Sequence, residues 1–184
     1  MKRLFLIAAG AIILFACNDK KTDEKKADET KPAMSEKKPA TEILDLSAAD
    51  VITKSLAAFS KGDLDGMTAD YDDNVRYTWS GGDSAIGKKA VKDFYAGRWK
   101  LIKSISFSND IKLPLQVNES QNPKVAPAGK WILYWVQTDV EYKNGKKLTF
   151  WQHSVNHMNA AGKIDYVGQY IDRYPIMEAT KGMK

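Results

Sequence analysis

Two histidines, His153 and His157, are the groups in this sequence best suited to move a proton near neutral pH, because imidazole titrates there unaided. Their spacing of four would let one face of a helix clasp a metal ion. The turn signals Asn144-Gly145 and Ala161-Gly162, however, make residues 148–158 a strand. On a strand the two rings stand roughly 13 Å apart on one face. A zinc ion holds its nitrogen ligands at about 2 Å, so they cannot share one. No metal site is expected. His153 stays a candidate general base, with a hydrogen-bonded sheet histidine as the competing reading.

The aromatic side chains are the second chemical resource. Trp79, Trp99, Trp131, Trp135 and Trp151, with eight tyrosines, exceed what a small core can hold with every indole N–H satisfied. Tyr77, Trp79, Trp99, Trp135, Trp151 and Tyr170 are therefore candidate lining for a pocket that takes a small, mostly apolar ligand. One cysteine excludes a disulfide framework, a zinc ribbon and a CxxC redox centre. The chain has no Walker loop, no GxGxxG and no GxSxG, and no cofactor is expected.

Charge narrows the partners. The 28 Lys and Arg against 23 Asp and Glu give a net +5. Lys2 and Arg3 supply two of these charges, and residues 18–42 balance seven Lys against three Asp and four Glu. The remaining +3 is spread among interleaved acids without a basic block, so no nucleic-acid partner is expected.

The amino terminus reads as a secretory signal: Lys2-Arg3, then an apolar run from Leu4 to Phe15, too short for the roughly 20 residues of a spanning helix. Leu14-Phe15-Ala16-Cys17 resembles a bacterial lipobox, departing from it at Phe15, where a small residue is usual. That resemblance implies cleavage before Cys17, its acylation, and a membrane-lipid partner in the bacterial cell envelope. Residues 18–42 contain no aromatic, Ile, Leu or Val and should form a disordered tether, spanning roughly 25–30 Å as a coil. Residues 43–178 are left for one domain, with 179–184 as a flexible tail.

Within the domain, Ser47 to Asp50 resembles a capping box, and Ile52, Leu56 and Phe59 share a helical face that ends at Gly62. Leu64, Met67 and Tyr71 suit a short second helix. Val75, Tyr77 and Trp79 alternate as a strand, broken by Gly81-Gly82. A third helix is expected from about Gly87 to Lys103. Pro114, Pro123 and Pro127 mark an exposed loop, after which 131–142, 148–158 and 164–174 read as long strands. In the last, Tyr166, Gly168, Tyr170, Asp172 and Tyr174 share one face, and Val167, Gln169 and Ile171 the other. Alternation leaves open which face looks inward. Helices followed by a meander predict an α+β domain, its antiparallel sheet wrapped around its helices.

The segment Ala57 to Gly66, Asp72-Asp73, Gly87 before an aromatic helix, and Gly162-Lys163-Ile164 leading to Tyr170-Ile171-Asp172 resemble the nuclear transport factor 2-like superfamily, in particular its SnoaL-like group. The resemblance covers about residues 45–174. It implies a cone-like half-barrel with an interior pocket, and often a homodimer formed through the sheet. Matched from Gly62-Asp63-Leu64-Asp65-Gly66 and Gly162-Lys163, the group's ketosteroid isomerases would carry their oxyanion tyrosine at Ser55, their base at Trp79 and their acid near Ser154. None of the three can do that work, so steroid isomerisation is not expected. Asp172 lies where several SnoaL-like enzymes place catalytic or pocket residues. The leading expectation is ligand binding in an aromatic pocket that includes Ser154. The rivals are a cyclase, isomerase or dehydratase using His153 or Asp172, and an interaction module.

Overall fold

The computed structural model describes residues 37–183. The signal segment, Cys17 and most of the tether lie outside the described residues. Strand β1 (Thr41–Ile43) opens the domain, followed by a 3-10 turn (Leu46–Ala49) and helices α1 (Asp50–Phe59) and α2 (Leu64–Met67). Next come β2 (Tyr71–Trp79), β3 (Ser84–Ile86), α3 (Lys88–Trp99) and β4 (Ile102–Val117). Strands β5 (Gly129–Tyr142), β6 (Lys147–Met158) and β7 (Ile164–Tyr170) precede a last helix, α4 (Tyr174–Thr180).

One curved, unclosed sheet of order β1-β4-β5-β6-β7-β2-β3 carries the fold. The expected α+β half-barrel is observed, with one difference: β2 runs parallel to β7, and the sheet is mixed. Helix α3, between β3 and β4, carries the chain across to the other side of the sheet, so β2 meets β7 across the long sequence gap. Curvature has a local source in β4. Asn109 adopts φ +53° where the pairing with β5 slips between Ser108 and Ile111, and such a bulge bends its strand.

Several local expectations change. No side chain caps α1, whose N-cap is Ala49; instead Asp45 caps the preceding 3-10 turn, its carboxylate accepting from the Ser47 N–H at 2.9 Å. Tyr71 begins β2 instead of ending α2, and Ile102 begins β4 instead of ending α3. Thr41 and Glu42, polar enough to read as tether, are ordered because β4 offers them backbone partners at Gln116 and Val117. Pro114 lies inside β4, fully buried, not in an exposed loop. Its carbonyl accepts from the Leu44 N–H, so its nitrogen also faces that outer side and no bond to β5 is lost. The last strand stops at Tyr170, and Pro175 starts α4 at a position where a missing N–H costs nothing.

Strand parity fixes what faces inward. Ile132, Tyr134, Val136, Thr138, Val140 and Tyr142 are all buried on the concave face of β5. Pairing places Asn156 and Ser154 of β6 beside Val167 and Gln169 of β7 on that same face. Ile52 and Phe59 of α1 and Val91 of α3 close the core over it; each such side chain contributes about 1.5–3 kcal/mol by leaving water.

Candidate functional site

Between the concave face and helices α1, α3 and α4 lies a hollow of about 140 Å³. Trp79 sits against Phe94 at 4.2 Å between ring centroids and against Tyr77 at 4.8 Å. Phe59 and Phe94 each meet Tyr95 edge-on at 5.2 Å. Beneath them, Tyr134, Ser154 and Asn156 line a smaller recess of about 50 Å³ that shares Tyr77, Gln152 and Gln169 with the main hollow. An apolar cavity of about 150 Å³ accommodates a benzene ring, so the main hollow is the size of one six-membered ring.

A directed chain of hydrogen bonds crosses the hollow. The Tyr95 hydroxyl donates to Gln169 Oε1 at 3.1 Å, so at the 2.7 Å contact between Tyr77 and Tyr95 it is Tyr77 that donates. Gln169 Nε2 donates to Gln152 Oε1 at 2.6 Å, and Gln152 Nε2 donates to Thr138 Oγ1 at 2.9 Å. The chain ends on a buried threonine hydroxyl with its proton still to give. Burial raises the phenol pKa of Tyr71, Tyr77, Tyr95 and Tyr142 above the usual value, so all four stay neutral. The positive charge of Arg98 partly offsets burial at Tyr95 and Tyr142.

Two arginines reach the hollow with different commitments. Arg173 Nη1 donates to Asp83 Oδ1 at 2.6 Å. Arg98, half-buried, lies 5.3 Å above the centroid of Phe94 and has no carboxylate partner among the described residues. Among the described residues no Asp, Glu, His or Cys lines the hollow. An acid close to the recess is Asp110, brought in by the β4 bulge, whose carboxylate accepts from Tyr134 at 3.0 Å and pairs with Lys112 at 3.2 Å. It borders a separate cleft of about 350 Å³ between α1 and β4. Burial opposes its ionisation, but Tyr134 and Lys112 outweigh that and hold its pKa below the usual carboxylate value.

Residues 52–167 match the SnoaL-like domain family. The chain belongs to that family. No curated protein matches this SnoaL-like chain significantly. Solved structures share its fold at low identity. An NTF2-like protein of unknown function from Burkholderia pseudomallei is 19% identical, with a TM-score of 0.56 over 73% of this chain and 98% of that one. A LEH-like epoxide hydrolase of M. tuberculosis is 15% identical, with a TM-score of 0.53 over 72% and 87%. TerC, co-crystallised with polyporic acid, is 15% identical, with a TM-score of 0.54 over 73% and 98%.

In this SnoaL-like domain Tyr77 and Trp79 line the main hollow, Ser154 lines the recess, and Ser55 borders both. The positions matched to isomerase residues by the sequence resemblance, Ser55, Trp79 and Ser154, are thus divided between the hollow and the recess and carry neither acid nor base. Trp99 is outside the lining. It packs edge-on to Phe59 at 5.4 Å and covers Gly62, where a Cβ would lie 2.5 Å from its indole nitrogen.

The remaining candidates are on the opposite face of the sheet. Trp135, His153 and Tyr170 stack there, with His153 at 4.4 Å and 5.6 Å from its two neighbours. Trp151, on the same face, is 51% exposed and Tyr170 is 52% exposed. The reason is pairing: His153 opposes Tyr170, one residue out of step with the inward Ser154–Gln169 pair. Asp172 is exposed beyond the end of β7 and accepts from the Tyr174 N–H at 3.0 Å at the entrance to α4. Neither His153 nor Asp172 can exchange a proton with a molecule in the hollow. His157 is likewise committed elsewhere, its Nδ1 2.6 Å from Asp165 Oδ1 and its ring 4.8 Å from Trp131. Sequence patterning does not single out Gln152, Gln169, Tyr95 or Arg98; strand pairing and the packing of α3 bring them to the hollow.

Proposed function

We propose that this protein is a lipid-anchored component of the bacterial envelope whose SnoaL-like domain binds a small, mostly apolar molecule in the aromatic hollow, without acid–base turnover by His153 or Asp172. One observation carries the binding reading: the hollow is ring-walled, threaded by neutral hydrogen-bonding groups and, among the described residues, lined by no carboxylate, imidazole or thiol. Such a wall orients a ligand and offers no group that exchanges protons near neutral pH. TerC, a similarly folded protein, was co-crystallised with polyporic acid. Anchoring rests on the lipobox-like Leu14 to Cys17 and on the stability that several acyl chains give. Calorimetric titration of the purified protein against single-ring aromatic and terpenoid compounds tests the binding reading. Saturable one-to-one binding, lost when Thr138→Phe fills the hollow, is the expected result; no saturable binding across such a panel would remove it.

The exposed Trp151 and Tyr170 favour a second role for the outer face, as the contact surface of a homodimer or docked envelope partner. Sedimentation of the wild type and of Trp151→Arg tests the dimer. Two monomers at micromolar concentration would refute it.

A further inference from the structure

Arg98 is costly where it stands. A guanidinium keeps its charge at any physiological pH and seeks a planar pair of acceptors. Arg98 is half-buried in the wall of an apolar hollow, and among the described residues it has neither an ion-pair partner nor a hydrogen-bond acceptor. Arg173, lining the same hollow, shows the ordinary solution: its charge is met by Asp83. The stack of Arg98 on Phe94 at 5.3 Å steadies the side chain but leaves its donors unused. Its place in the last turn of α3 is favourable for a cation, but many exposed side-chain directions would serve the helix dipole equally well.

Size restricts what could meet that charge. At about 140 Å³ the hollow takes one ring and little more. Its hydrogen-bond chain runs from Tyr77 through Gln169 to Thr138, and every link already uses an acceptor within the protein. What the lining leaves without a partner of opposite charge is the Arg98 fork, and among the described residues no carboxylate in the lining meets it. A cavity wall with an unmatched guanidinium favours a ligand that brings negative charge and a planar pair of acceptors.

We infer that the ligand of the hollow is a single-ring aromatic or similarly compact apolar acid, its ring among Tyr77, Trp79 and Phe94 and its carboxylate held by Arg98. This specifies the ligand class of the binding reading above and rests on it. The selectivity is electrostatic: a neutral molecule of the same shape leaves the guanidinium unpaired, whereas a carboxylate pairs it in a medium of low dielectric.

The test compares phenylacetate with 2-phenylethanol, alike in shape but different in charge, by calorimetry on the purified full-length protein at pH 7. Phenylacetate should bind at least about tenfold more tightly, as expected for a hydrogen bond to a charged group. Arg98→Met should abolish that preference, and Arg98→Lys should retain part of it. Equal affinity of the wild type for the two compounds overturns the inference while leaving an apolar binding site intact. Binding of neither, when other compounds of the panel do bind, overturns it as well. If nothing binds at all, the binding reading fails with it. Should Arg98→Met not fold, the wild-type pair and Arg98→Lys decide the matter.

Discussion

Replacing Gln169 by leucine should expose how much the interior hydrogen-bond chain matters. Gln169 joins two halves of that chain, accepting from Tyr95 at 3.1 Å and donating to Gln152 at 2.6 Å. Leucine has nearly the same volume but neither function. The Tyr95 hydroxyl then keeps a proton with no acceptor, and Gln152 Oε1 loses its donor. Each buried group left unpaired costs about 1–3 kcal/mol. Burial of the more apolar leucine returns about 1–2 kcal/mol. The net loss should be about 2–3 kcal/mol, or a fall in Tm of roughly 5–10 °C for a chain of this size. Scanning calorimetry on Gln169→Leu, Tyr95→Phe and the double variant supplies the assay. Because Tyr95→Phe removes the donor that Gln169→Leu orphans, the double variant should be more stable than the two single losses predict by about 1 kcal/mol or more. Wild-type stability in Gln169→Leu, or strict additivity in the double variant, would show that water or rearrangement satisfies these groups and that the chain does not order the hollow.

Other perturbations probe other links. Gly62→Ala should cost about 2–3 kcal/mol in chemical denaturation, because Gly62 has φ +75° and its Cβ would strike the Trp99 indole; an unchanged midpoint would count against that contact. Alkaline pH should unfold the domain. The buried phenols have folded-state pKa values raised above the unfolded value of about 10, Tyr134 to about 12, first by burial and then by its bond to Asp110. Their contribution is therefore complete below pH 10 and is lost as pH rises through the folded values. Absorbance at 295 nm should show these phenols ionising only together with loss of near-UV circular dichroism; ionisation near pH 10 in a still-folded protein would contradict their burial. Cys17→Ser should move the expressed protein from the detergent phase to the aqueous phase, and continued detergent partitioning would argue against acylation.

The helices, the hairpin turns and the strand segments could be read from the chain because their causes are local. The 3.6-residue spacing of Ile52, Leu56 and Phe59 makes one helical face whatever it packs on, and Asn144-Gly145 turns the chain whatever the strands do next. The family resemblance supplied the cone and its hollow. What the sequence left undecided was parity. Both faces of β6 and β7 carry large aromatic or polar side chains, so hydrophobic alternation does not rank them, and a shift of one residue exchanges the faces. The observed pairing turns Gln152, Ser154 and Gln169 inward and His153 and Tyr170 outward. The same holds for the chain from Tyr77 to Thr138. It links five residues on five separate elements, and no motif encodes contacts between residues 74 positions apart such as Tyr95 and Gln169. Arg98 reads on paper as one more cation near the end of a helix. It becomes singular only because folding sets it over the Phe94 ring in the wall of the hollow and leaves its charge unmatched among the described residues, and charge balance in such a space belongs to the arrangement of all its walls.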